Sequence, residues 1–182
     1  MFITKAARRY ATALLEIARE LDEVEDILED IKLIDNTIED SKELSMFISS
    51  PIIKYDDKKA ALNEIFASRV NEVTGQFLAL LARKGRANLL HQIAKAFVEK
   101  YNEYAGIIKI EVFSAKPLDD SQKQSLQKAL EKRTDKKVDM SLSLDASLKG
   151  GIAVRIDDTV IDGSIKHKLE ELEQKFLSSA ID

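Results

Sequence analysis

The spacing of apolar residues changes once along this chain, at Gly106, and that change limits the fold more than any other feature of the sequence. Before it, apolar positions recur at the 3.6-residue period of a helix; after it they alternate, as in a strand with one covered face. Two periods in two consecutive stretches predict a two-domain α+β protein, divided into 1-105 and 106-182. The first stretch is expected to form a six-helix antiparallel bundle. The second is expected to form a small α/β domain with a mixed sheet in the order β-α-β-β-β-α.

In the first helix, Ile3, Ala6, Tyr10, Ala13, Leu14, Ile17 and Leu21 form one apolar stripe, with Thr4 placed to cap the start. Ala7, Ala11, Leu15 and Ala18 form a second stripe on the same helix. A helix apolar on two sides is either central in its bundle or shared between the bundle and a partner. Asp22, with Glu25 three residues later, reads as a capping box opening a second helix that carries Val24, Ile27, Leu28, Ile31 and Ile34. A third covers Leu44, Phe47 and Ile48 and stops before Pro51, because the residue before proline disfavours the α region. A fourth runs from near Tyr55 to Phe66. A fifth spans about Val70 to Lys84 and ends on Gly85 as a C-terminal cap. The sixth carries Leu89, Leu90, Ile93, Phe97, Tyr101 and Tyr104.

Beyond Gly106, Ile108, Ile110 and Val112 alternate with Lys109, Glu111 and Phe113. Pro117 and Asp119, with Gln122 as capping-box partner, open a helix bearing Leu126, Ala129 and Leu130. Val138, Met140, Leu142 and Leu144 make the cleanest alternating run. Gly150 and Gly151 precede a strand at Ile152, Val154 and Ile156; Asp157-Asp158 supplies a tight reversal into Thr159-Val160-Ile161. Asp162, Gly163 and Ser164 then break that strand and cap a last helix with Ile165, Leu169, Leu172 and Phe176 on its apolar side.

Composition removes several classes of function. The chain is 45% hydrophobic and 33% charged with few Gly and Pro, which marks a folded, helix-rich protein. It has no cysteine, so disulfides, thiolate metal sites and cysteine nucleophiles are excluded. Its longest apolar run, Phe77 to Ala82, is far short of a membrane span. Lys5, Arg8 and Arg9 could be mistaken for a transit peptide. They lie in a continuous helical pattern without a Ser-rich stretch, so the mature start of a bacterial cytoplasmic chain is the expected reading. Residues 20 to 43 hold eleven acids against two lysines, expected as a solvated helix face. His91 has no carboxylate near it in sequence, and His167 sits between Lys166 and Lys168, so no metal site is expected. Lys149-Gly150-Gly151 lacks phosphate-loop spacing, and no cofactor is expected.

The paired glycine, short hairpin and Asp-Gly-Ser lead into a terminal amphipathic helix resemble the C-terminal signature of the delta subunit of bacterial F-type ATP synthases. The mitochondrial counterpart is the oligomycin-sensitivity-conferring protein. Ala6 to Ala13 is similar to the opening helix of that family, and Phe77 to Arg86 to its fifth helix with a Gly-Arg end. Val112 to Ala115 with Pro117-Leu118 resembles the strand-to-helix junction of its second domain. The chain departs at Lys84, where the family often has Asn, and at Asp157, where Gly is common.

The resemblance implies a non-catalytic stator part. The helical domain would sit on the catalytic head and take the amphipathic N-terminal helix of an alpha subunit between its first and fifth helices. The second domain would meet the C-terminal end of the peripheral-stalk b subunits. One copy per complex would lie on the cytoplasmic face of the bacterial plasma membrane, held there only indirectly through b. For the alpha-subunit helix, Ala6 and Ala13 permit close approach, Tyr10 and Leu80 supply apolar anchors, Arg9, Gln76 and Arg83 form a polar rim, and Ile17 is expected among the binding residues. From spacing alone, Tyr10, Ala13 and Leu80 fit a bundle core better than a groove, and only the resemblance reverses that reading. Gly150, Gly151, Asp162, Gly163 and Ser164 are expected to be structural. The alternative is a nucleic-acid-binding adaptor using Lys128, Lys132, Arg133, Lys136 and Lys137. A net charge of −4 and the absence of an aromatic platform or glycine-rich RNA motif argue against it, and no nucleic acid is expected as partner.

Overall fold

Helix caps divide the first hundred residues, and half of the six helices are opened by a single side chain. In the computed structural model, which describes residues 3–156 and 158–179, Thr4 caps α1 (Lys5–Glu20) by accepting the Ala7 N–H. Ser41 accepts the Leu44 N–H and so separates α2 (Val24–Asp40) from α3 (Lys42–Ser49). Asn71 caps α5 (Glu72–Arg83), which follows α4 (Tyr55–Phe66). A short 3-10 turn at Ala87–Leu89 leads into α6 (Leu90–Ala105).

The capping box expected at Asp22 does not form. Asp22 has a φ of 58° and closes α1 instead: its N–H reaches Arg19 O at 3.3 Å and the Glu23 N–H reaches Ala18 O at 2.9 Å. That is a Schellman motif with aspartate in the left-handed position, one of the few side chains that tolerate it. Gly85 does the same for α5, with a φ of 65°.

Ala7, Ala11 and Ala18 on α1 are fully buried and let the neighbouring helices come close. Around them pack Leu14, Ile27, Ile31, Ile34, Leu62, Phe66, Leu81, Ile93 and Phe97. The core stripe of α1 is therefore the alanine one. Its other stripe is only partly covered: Leu14 is fully buried and Ile3, Ala6 and Tyr10 half-buried, while Ile17 at 43% and Leu21 at 50% exposure face outward.

The chain divides into two units, Met1–Tyr104 and Ala105–Asp182. In the second, β1 (Ile107–Ser114) is joined through α7 (Asp120–Thr134) to β2 (Lys137–Leu144), with which it pairs in parallel. Strand β3 (Ile152–Ile156) pairs antiparallel with β1, and β4 (Thr159–Asp162) antiparallel with β3, giving the order β2-β1-β3-β4. The register Ile156↔Thr159 leaves room for the expected reversal. Asp157, half of it, lies outside the described residues. Asp119 and Gln122 form the full capping box of α7. Among the described residues the whole chain has eight α-helices, closing with α8 (Ile165–Ser179), and one four-stranded mixed sheet.

The second core is small: Ile110, Val112, Leu130, Val138 and Val154 are buried, with Leu126 and Met140 against them. Ala129 stays exposed, so α7 presents a narrower face than its periodicity suggests. Toward the end of β2 the alternating side chains lose their cover, with Leu142 and Leu144 both exposed.

The paired glycine joins the start of β3 to the start of α8. Gly150 O accepts the Ile165 N–H and Ile152 O accepts the Gly163 N–H, both at 2.9 Å. A Cβ on Gly151 would stand 2.6 Å from Gly163 O, and its φ is 77°. A Cβ on Gly150 would meet the Ile165 side chain at 2.5 Å, and its φ of 158° is one that side chains rarely adopt. Gly151→Ala is therefore expected to destabilise the second unit by about 2–4 kcal/mol, and Gly150→Ala to destabilise it as well. Urea unfolding followed through the sheet signal measures both.

Candidate functional site

The outward stripe of α1 forms the floor of an open groove of about 540 Å³. Leu14, Ile17 and Leu21 come from α1, Tyr55 and Lys59 from α4, and Val73, Gln76, Phe77, Ala79, Leu80 and Arg83 from α5. Beside it lies a shallower hollow of about 360 Å³ lined by Ala6, Arg9, Tyr10, Ala13 and Arg86. Tyr10 of the hollow and Phe77 of the groove meet edge to face, ring centres 6.3 Å apart, so the two depressions adjoin along α1. From Ala6 to Leu21 the floor extends about 22 Å at 1.5 Å per residue.

Of the residues expected at a partner site, the structure puts Ile17, Gln76, Leu80 and Arg83 in the groove and Ala6, Arg9, Tyr10 and Ala13 in the hollow. Ala13 is exposed and Leu80 half-buried, while Tyr10 is half-buried and packs against the core. Gln76 donates to Glu72 at 3.1 Å. The wall from α4 was not foreseen. Its only sequence signal was Tyr55, a large side chain at the first position of a helix whose apolar residues lie further on.

The position of α5 depends on a buried acid. Asp30 on α2 is 8% exposed and accepts the Asn71 N–H at 2.8 Å, while the Asn71 side-chain amide donates to Glu23 at 3.1 Å. Part of the acidic run is thus a clamp on the helix forming one groove wall. A second part faces α6: Asp35 lies 2.7 Å from His91 Nδ1, and Glu39 pairs with Lys95 at 3.0 Å. The expectation of an entirely solvated face fails at these positions, because folding brings α5 and α6 against α2. Asp35, Glu39 and His91 have potential ligand atoms within 4.8 Å of one another. The Lys95 ammonium already supplies the positive charge, through a hydrogen bond and its field that hold the Glu39 carboxyl below its ordinary value. The cluster forms an interhelical ion-pair network.

In the second unit, Ser164 is fully buried and its hydroxyl caps α8 by accepting the His167 N–H. Asp162 accepts the Ser164 N–H at 2.8 Å. Contacts with the Ser164 hydroxyl and N–H lower the pKa of Asp162 below 3.8, and those with Ser147 do the same for Asp145. Helix α8 itself is nearly bare: Ile165, Leu169, Leu172 and Phe176 form a continuous apolar stripe, Phe176 at 73% exposure. The lysines named for a nucleic-acid reading are exposed. The depression near them is lined by Glu131 and Asp135 as well as Lys136 and Lys137, so its charge is mixed.

Two unpartnered apolar surfaces, one per unit, describe a connector. Residues 6–176 match the family described as ATP synthase delta (OSCP) subunit. The chain belongs to the ATP synthase delta (OSCP) family. It is 37% identical over 180 residues to ATP synthase subunit delta of Chloroherpeton thalassium, covering 99% of this chain and 98% of that one. With ATP synthase subunit delta of Chlorobaculum parvum it shares 42% identity over 173 residues, covering 95% and 96%. Among solved structures it is similar to a chain of the Toxoplasma gondii mitochondrial ATP synthase hexamer, with a TM-score of 0.70, 25% identity, and coverage of 96% and 98%. As a member of the delta (OSCP) family the chain is a non-catalytic stator component of ATP synthase. No helix among the described residues is long and apolar enough to cross a membrane.

Two outcomes follow from the buried and capping acids. Asp30→Ala strands the Asn71 N–H and is expected to cost about 1–3 kcal/mol of bundle stability, read by urea unfolding. Because the folded pKa values of Asp145 and Asp162 lie below 3.8, the stabilisation these two give is complete above that pH. It is lost as pH falls through the lowered values. Asp162→Asn should therefore flatten the acid limb of the melting profile of the second unit.

Proposed function

We propose that the groove and hollow on α1, α4 and α5 receive the amphipathic N-terminal helix of an alpha subunit, and that the second unit holds the C-terminal end of the peripheral-stalk b subunits. In this reading the six N-terminal helices act as one antiparallel bundle resting on the catalytic head. One copy per complex ties the head to the membrane sector, on the cytoplasmic face of a bacterial plasma membrane. Rotation of the central shaft then does work on the catalytic sites instead of turning the whole head.

The observation that carries the first half is the division of labour on α1. One face is sealed by fully buried alanines, while the neighbouring face leaves Ile17 and Leu21 about half exposed at the end of a row that begins at Ala6. Apolar side chains lined up this way along a concave floor suit a helix laid into a groove. Support for the second half is the bare stripe of α8 and the uncovered ends of β2 and β4, which a monomer gains nothing by exposing. A tether under torque needs slow release, and a nanomolar constant corresponds to about 12 kcal/mol. A preformed groove helps one short helix approach that figure, because little ordering remains to be done on binding.

Ala13→Asp is the cleanest test of the groove, since Ala13 is exposed whereas Tyr10 also packs on Phe77. It is expected to weaken an alpha-subunit N-terminal peptide at least about a hundredfold by calorimetry, with the helical signal unchanged; unaltered affinity removes the residue from the site. For the other half, the double variant Leu169→Asp with Leu172→Asp should lose b subunits on co-purification while retaining alpha. Retention of b would place the stalk contact elsewhere.

A further inference from the structure

The lining of the trough is charged in one sense only. Lys59 and Arg83 stand in the groove and Arg9 and Arg86 in the hollow, and no carboxylate among the described residues lines either depression. None of the four has an ion-pair partner among the described residues. Elsewhere in the bundle two half-buried cations are matched, Lys95 by Glu39 and Lys100 by Glu103. The chain as a whole carries a net charge of −4, so the positive lining is not a by-product of a basic protein.

Resting on the groove reading above, we propose that the trough selects its helix by charge: the incoming segment carries Asp or Glu on the flanks of its apolar stripe, which pair with Arg9, Lys59, Arg83 and Arg86. The cations are spread along the floor, two in the hollow with Ala6 and Ala13 and two in the groove with Ile17 and Leu80. An acid-flanked helix therefore meets a positive group along most of its length. Burying the stripe removes water from around these pairs and strengthens them. Arginine can also take a carboxylate through two parallel hydrogen bonds. A helix with the same apolar stripe and basic flanks would bring like charges together, so the lining rejects as well as attracts. A membrane surface is the poorer match, because the apolar residues line a concave floor walled by three helices and cannot lie flat on lipid.

The test uses the full chain and a fluorescent peptide covering about the first 20 residues of the alpha subunit encoded with it, enough to span the trough as a helix. Binding is followed by anisotropy at low and high salt. The expected result is a dissociation constant that rises about threefold for each of Arg9→Gln, Lys59→Gln, Arg83→Gln and Arg86→Gln, and about thirtyfold or more for all four together. It should also rise with salt. Lys59→Glu with Arg83→Glu should switch preference to a peptide whose flanking acids are replaced by Lys. All four positions are exposed, and unchanged helical content accompanies each variant. A peptide that binds tightly but is indifferent to the four substitutions and to salt overturns the charge selection and leaves the groove reading standing. A peptide that fails to bind the unaltered chain overturns both. Displacement of bound peptide by vesicles containing anionic lipid, with loss of vesicle binding in the fourfold variant, overturns the selection of a helix in favour of lipid.

Discussion

Helix α1 must satisfy two different surroundings at once, and the rest of the bundle is arranged around that demand. Alanine is the residue that makes it possible. With Ala7, Ala11 and Ala18 fully buried, the inner face of α1 packs backbone close to backbone, and large side chains such as Ile31, Phe66 and Phe97 come from the surrounding helices. Beside it, Ile17 and Leu21 carry apolar surface that the core does not cover. A helix with large residues on the inner face and polar ones outside would make a good monomer and a poor receptor.

The groove depends equally on where α4 and α5 are held. Asn71 is both the cap of α5 and a double donor, its N–H to the Asp30 carboxylate on α2 and its side-chain amide to Glu23 just before that helix. Buried polar contacts of this kind add modest stability but select one arrangement among several. A wall fixed by them is ready before a partner arrives, which lowers the entropy lost on docking. The second unit shows a related economy. Gly150 and Gly151 let the start of β3 touch the turn at Gly163 and Ser164, so α8 leaves the sheet in a set direction while its own apolar stripe remains open.

Helix and strand periods, caps at Thr4 and Asp119, and the glycine ends were legible in the sequence because each is a local rule. Where reading failed, the missing information was long-range. Asp22 fits a capping box as well as an αL closure, and only the carbonyls of Ala18 and Arg19 decide between them. Asp30 and Asp35 look like members of a solvated acidic run until α5 and α6 are brought against α2. The two stripes of α1 were visible, but which one is buried depends on the neighbouring helices. The contribution of α4 to the groove has only a faint local signature, Tyr55 at the head of the helix, and Lys59 has none. Likewise, α8 reads as an ordinary amphipathic helix, and its lack of cover appears only in three dimensions.

The central claim is that the outer face of α1 with α5 holds a helix of the catalytic head. Its most direct measurement places a photo-reactive amino acid at Gln76, an exposed position on the groove wall, and another at Leu172 on α8, in the intact membrane-bound enzyme. The account predicts that light joins position 76 to the first residues of an alpha subunit and position 172 to b. Adducts of position 76 with b, or with no subunit while position 172 reaches alpha, would contradict it.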